Sequence, residues 1–121
     1  MPLSGSIDAR GHPRVEVVLR GPFGHDRVDG IVDTGFTRAV SVPEEWVTRL
    51  GLRRRTIRPT RLADGTLRTV QVYHIEIEWV TGPTLAEALE SSLPDLLIGA
   101  GLLRGHQLVV DYGAAQSIEI R

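Results

Sequence analysis

Ile31-Val32-Asp33-Thr34-Gly35 sets a carboxylate directly after two apolar residues and before a hydroxyl and a glycine. Upstream, Val15-Glu16-Val17-Val18-Leu19 is a β-branched run between Pro13 and Gly21-Pro22, which reads as a strand. Gly21-Pro22-Phe23-Gly24 reads as a turn, and Asp26 to Val32 as a second strand hairpinned to the first. Asp33 therefore falls on a loop at the mouth of an apolar strand, where a rigid scaffold presents chemistry. Ala39-Val40-Ser41-Val42 then returns to strand character.

Working outward, residues 3 to 8 form a short strand broken by Gly11-His12-Pro13. Pro43 to Leu50 reads as a helix, with Pro43 at its first position and Glu44 and Glu45 complementing the N-terminal dipole. Trp46, Val47 and Leu50 make its apolar stripe and Gly51 stops it. Thr56 to Leu62 and Leu67 to Trp79 are strand arms around Ala63-Asp64-Gly65-Thr66, an Asp-Gly hairpin signal. Leu85 to Glu90 suits helix by propensity and strand by alternation; strand is preferred, because a helix that short gains little. Leu96-Leu97-Ile98 is a buried strand ended by Gly99, and Ala100 to Arg104 a helical turn. Gln107 to Asp111 and Ala115 to Ile120 form a last hairpin across Tyr112-Gly113. The fold class is mainly β, with one or two short helices, and residues 1–121 form a single domain.

Composition narrows the chemistry. The 121 residues carry a net charge of -1, which gives no bulk attraction to nucleic acid or to an anionic membrane. There is no cysteine, which removes disulfides, thiol nucleophiles and cysteine metal sites and is compatible with a cytoplasmic protein. All 14 basic residues are arginines, so Schiff-base chemistry and a Walker lysine are excluded. The N-terminus lacks the basic and apolar regions of a signal peptide, and the longest apolar run, near Leu96 to Leu103, is too short and glycine-rich for a membrane span. His12, His25, His74 and His106 show no metal-ligand spacing, so no metal and no cofactor are expected.

Three features then occur in order: Asp33-Thr34-Gly35, the Ala63-Asp64-Gly65 hairpin, and Asp95-Leu96-Leu97-Ile98-Gly99. Taken alone, Asp33-Thr34-Gly35 also fits a plain Asx-turn, in which an aspartate side chain bonds the backbone two residues on. Taken in order, with a short helix and a strand pair after them, the three features resemble the retropepsin-like aspartic proteases. Asp33-Thr34-Gly35-Phe36 followed by Ser41-Val42-Pro43-Glu44 is most similar to a small bacterial and archaeal group with an Asp-Thr-Gly-Phe signature. The resemblance spans roughly Gly5 to Ile120.

The resemblance implies a closed β-barrel of the acid-protease fold, each chain supplying half an active site. Asp33 would be the catalytic aspartate, Thr34 the hydroxyl that locks two loops across a dimer axis, and Gly35 the loop glycine. Ala63, Asp64, Gly65 and Thr66 would form a flap over the substrate. Leu97, Ile98 and Gly99 would support the active-site loop from beneath. Phe36 departs from the small residue of many retropepsins but is shared by the Asp-Thr-Gly-Phe group, and its effect on the cleft beside Asp33 is left open.

Only one Asp-Thr-Gly is present, and the chemistry needs two carboxylates that share a proton. The implied partner is a second copy of the chain about a two-fold axis, with a peptide or protein as substrate. The strands near both termini are expected to help bury that interface. The other reading is a dimeric peptide-binding or regulatory module of the same fold that cleaves little. Arg53, Arg54, Arg55, Arg58 and Arg61 fit either a solvated strand face or an anionic partner; with aromatics at 5%, a nucleic-acid module is poorly supported. Trp46 and Trp79 are read as core or interface anchors, and Asp111 as a turn residue.

Overall fold

The computed structural model describes residues 1–61 and 64–121. Its order is β1 (Leu3–Ile7), β2 (Pro13–Gly21), β3 (Gly24–Asp33), β4 (Val40–Pro43), α1 (Glu44–Leu50), β5 (Arg54–Arg61), β6 (Leu67–Trp79), β7 (Gly82–Ser91), β8 (Leu96–Gly99), α2 (Ala100–Leu103), β9 (Leu108–Asp111) and β10 (Ser117–Ile120). The strands join in the order β5-β6-β7-β4-β8-β3-β2-β1-β10-β9, and a further β6–β2 pairing closes the middle six into a barrel. The mainly β closed barrel with two short helices is thus as expected.

Alternation explains the barrel wall. Along β2, Val15, Val17 and Leu19 point inward and are buried. Along β6, Ile75, Ile77 and Trp79 do the same while Glu76 and Glu78 face outward. Val72, of the opposite parity, is also buried, beside Leu89 of β7 in register, so both faces of β6 are covered there. Leu96 and Ile98 of β8 and Val40 and Val42 of β4 complete the core.

Pairing settles the ambiguous segment at 85–90, which belongs to β7, antiparallel to β6 and parallel to β4. Pro43 differs from expectation. It keeps extended backbone, φ -56° and ψ 145°, as the last residue of β4 and the N-cap of α1. The final hairpin has a wider turn than expected, β10 starting at Ser117 and Gln116 sitting at φ 45°.

β8 lies between β3 and β4, parallel to the first and antiparallel to the second. The chain leaving β3 must therefore cross the end of β8 to reach β4. That crossing, residues 34–39, is the loop that follows Asp33.

Candidate active site

Asp33 is the last residue of β3, where it stands beside Gly99 in parallel register with β8. The chain then turns sharply: the Phe36 N–H donates to the Asp33 carbonyl at 3.1 Å. Within the turn, the Gly35 N–H donates to Asp33 Oδ1 at 3.0 Å. This is the Asx-turn that the three residues alone suggested, and it holds one carboxylate oxygen by a charge-assisted bond. Oδ2 has no hydrogen-bond partner among the described residues. Asp33 is half-buried and Thr34 exposed.

The loop is fixed from beneath by amides at the end of β8 and the start of α2. Gly99 N–H donates to Ala39 O at 2.8 Å, Ala100 N–H to Phe36 O at 2.7 Å, and Gly101 N–H to Arg38 O at 3.1 Å. These three bonds satisfy carbonyls that a crossing loop would otherwise leave unpaired. They require a bare backbone at Gly99, where a Cβ would collide with Arg38 O and come within 2.6 Å of the Phe36 ring. Of the three residues assigned as support, Ile98 is fully buried and Leu97 lines the cavity beside Asp33.

That cavity measures about 410 Å³, and Asp33 and Thr34 form part of its wall together with Ile31, Val32 and Leu97. His12, Pro13, Leu108, Val110 and Tyr112 line it as well. Sequence reasoning missed these five residues. Alternation along Gln107 to Asp111 puts Leu108 and Val110 on one face, but no local signal brings that face to Asp33. Phe36 is not among the side chains that line this cavity and packs over Gly99.

The hairpin between β5 and β6 is present, but Ala63 lies outside the described residues. Gly65 takes φ +87°, a left-handed turn conformation that suits glycine. Asp64 Oδ1 accepts from the Thr66 hydroxyl at 2.7 Å and the Thr66 N–H at 2.9 Å, and these bonds lower the Asp64 pKa. None of Asp64, Gly65 and Thr66 lines the Asp33 cavity.

Three carboxylates surround Arg14 at the edge of this region: Asp8 at 2.6 Å, Asp29 at 3.0 Å and Asp95 at 3.4 Å. The arginine cluster is partly compensated, Arg55 and Arg58 both reaching Glu87. Trp79 is in the core, while Trp46 carries the Arg49 guanidinium 4.5 Å from its ring centroid. Asp111 is a turn residue, accepting from the Gly113 N–H at 2.7 Å. Among the described residues no cluster of three His, Asp or Glu side chains is arranged to hold a metal, and no helix is long and apolar enough to cross a membrane.

The architecture is that of retropepsin-like aspartic proteases. A retropepsin-like aspartic protease from Rickettsia conorii superposes with a TM-score of 0.69 over 99% of this chain and 90% of its own, at 14% identity. The EIAV protease, in complex with an inhibitor, gives 0.61 over 85% of this chain and 97% of its own, at 17% identity. The foamy viral protease-reverse transcriptase gives 0.56 over 83% of this chain and 13% of its own, at 13% identity. At such identities the likeness is one of fold. No family model and no curated protein matches the sequence.

Proposed function

We propose that this chain is one protomer of a homodimeric aspartic endopeptidase of the small Asp-Thr-Gly-Phe group, with residues 1–121 as one protease domain. The observation that carries the reading is Asp33. Its carboxylate is half-buried in a cavity, one oxygen is held by the Gly35 amide, and the other has no partner among the described residues. The fold it sits in is the one these proteases share.

Two Asp33 side chains facing each other across a two-fold axis cannot easily both ionise, so their titrations split and the pair holds one proton. The ionised carboxylate takes a proton from water as that water attacks the scissile carbonyl. The protonated carboxyl donates a hydrogen bond to the carbonyl oxygen and then its proton. The product is a neutral gem-diol. When it collapses, a diol proton returns to a carboxylate, the C–N bond breaks and the leaving amine is protonated. Thr34 locks the two loops together, and residues 63 to 66 close over an extended substrate backbone. No metal or cofactor takes part in this scheme, and the setting is cytoplasmic.

A peptide-library digest tests the reading. Cleavage with an acid optimum is expected from the native chain and none from Asp33→Asn. Equal cleavage by both chains, or binding without turnover by the native chain, overturns it.

A further inference from the structure

The β5–β6 hairpin is the cationic part of an acidic chain. Residues 53–68 hold six of the fourteen arginines and one of the fifteen carboxylates, a net charge of +5. The remaining residues carry -6, so the overall charge of -1 conceals two opposed regions. Arg53, Arg54, Arg61 and Arg68 are exposed and form no ion pair among the described residues. Arg54 reaches the Gln71 side chain at 3.4 Å and Arg61 the Gly65 carbonyl at 3.0 Å. Arg55 and Arg58 share Glu87, and the Asp64 carboxylate is held by Thr66.

Protection of a sheet edge explains only part of this pattern. Arginine and proline on β5, an edge strand, keep another strand from adding. Arg53 precedes β5, however, and Arg68 sits on β6, which lies between β5 and β7 and has no edge there to protect. The register sets Arg68 opposite Thr60 and diagonal to Arg58, whose partner is Val70. Diagonal neighbours on one face are about 7–8 Å apart, a spacing of two cations that a bound anion stabilises. Arg61 shares the other face with Gln71, which Arg54 also reaches. Both faces of the hairpin are therefore cationic.

We propose that the substrates are acidic polypeptides, whose aspartate and glutamate side chains flanking the scissile bond are held by Arg53, Arg54, Arg61 and Arg68. This rests on the peptidase reading, in which the hairpin closes over an extended substrate. β5 alone spans roughly 26 Å at about 3.3 Å per residue, so arginines at its two ends meet carboxylates several residues apart. The acidic remainder of the chain repels an anion elsewhere and directs it to the hairpin. Exposed ion pairs are weak one at a time, so recognition needs several carboxylates together. A nucleic acid fits less well. No aromatic side chain lies between residues 53 and 68 to stack a base, and the close-set phosphates of a duplex would meet the acidic remainder.

Two libraries of short peptides with varied apolar centres test this, one flanked on each side by two glutamates and the other by two glutamines. Cleavage rates at about pH 5, where glutamate is mostly ionised, are compared as a ratio, in which the chemistry of the bond cancels. The glutamate library is expected to be cleaved at least ten times faster at about 0.05 M salt, the ratio falling toward one at about 0.5 M. Arg53→Gln combined with Arg68→Gln removes two side chains that bond nothing among the described residues, and is expected to lower the ratio at least threefold. Arg27→Gln, on β3 with its side chain 76% exposed, should leave the ratio as it is. If the double variant does not fold, the salt series on the native chain decides. Equal rates, or a ratio that neither salt nor the double variant changes, overturn the acidic-substrate inference and leave the peptidase reading intact. Cleavage of neither library overturns both. A single-stranded oligodeoxynucleotide that binds Asp33→Asn more tightly than the glutamate peptides at about 0.15 M salt overturns the inference in favour of a nucleic-acid partner.

Discussion

Phe36 lies across Gly99, so that a methyl group on Gly99 would fall 2.6 Å from both the Phe36 ring and the Phe36 carbonyl oxygen. The same carbonyl accepts from the Ala100 N–H at 2.7 Å. The bulky residue after Gly35 thus holds the crossing loop on the end of β8. Gly99→Ala has backbone on one side and a packed ring on the other, with no flexible side-chain end to yield. The expected cost is roughly 1–3 kcal/mol, or a fall in Tm of about 4–12 °C for a chain of this length. Thermal unfolding measures it; an unchanged Tm would show that the loop is not seated as described. Because the displaced atoms belong to the loop that carries Asp33, cleavage should fall further than stability alone accounts for.

Asp33→Asn separates chemistry from architecture. The asparagine Oδ1 can still accept from the Gly35 N–H, so the turn persists and Tm is expected to move by less than about 1 kcal/mol in stability terms. General acid–base chemistry disappears, with a loss of at least about 10²–10⁴-fold in kcat. Asp33→Ala removes the acceptor as well and should cost about 1 kcal/mol more. A kinetic assay paired with melting curves of both variants checks the ordering. Activity of Asp33→Asn near that of the native chain would remove Asp33 from the mechanism.

What the sequence discloses is mostly local. Val15, Val17 and Leu19 announce a strand with one buried face, and Asp64-Gly65 announces a hairpin, because alternation and turn chemistry are written within a few residues. Asp33-Thr34-Gly35 was legible as a loop after a strand for the same reason. The seating of Asp33 beside Gly99 came only through the family resemblance, since no local signal gives the β3–β8 parallel pairing with a strand far along the chain. The cavity wall of Leu108, Val110 and Tyr112 was not legible, since alternation marks one face without saying what it faces. Pro43 shows a subtler limit. Its φ suits either a first helical residue or a strand end, and the parallel pairing of Pro43 with Ser91 in β7 decides for the strand.

Ile98 gives a measure of how far the site depends on the core. It is fully buried in β8, between the strands that deliver Asp33 and Val40. Ile98→Val should cost about 0.5–1.5 kcal/mol and Ile98→Ala about 2–5 kcal/mol, the larger figure including an unfilled cavity. Denaturant titration reads both values. If Ile98→Ala costs less than Ile98→Val, the packing around β8 is not as described.

The acid side of the stability curve follows from Asp8. The Arg14 guanidinium, bonded to Oδ2 at 2.6 Å, is the main reason its pKa lies at about 2 instead of 3.8; the N–H groups of His12 and Arg10, both bonded to Oδ1, lower it further. A carboxyl with a depressed folded pKa stabilises the fold fully above its unfolded value and loses that contribution as pH falls through the folded value. The native chain is therefore expected to lose stability between about pH 4 and pH 2, inside the range where an acid-optimal peptidase would be assayed. Asp8→Asn removes the titration while keeping an oxygen for the two backbone donors, which makes it cleaner than replacing Arg14, whose loss would also strip Asp29 and Asp95 of a partner. The stability difference between native and Asp8→Asn chains should be constant from about pH 5 upward and shrink steadily toward pH 2. Urea unfolding at half-unit pH steps gives the curve. Two parallel curves across that window would mean that the Arg14 contact leaves the Asp8 proton where an unfolded chain would have it.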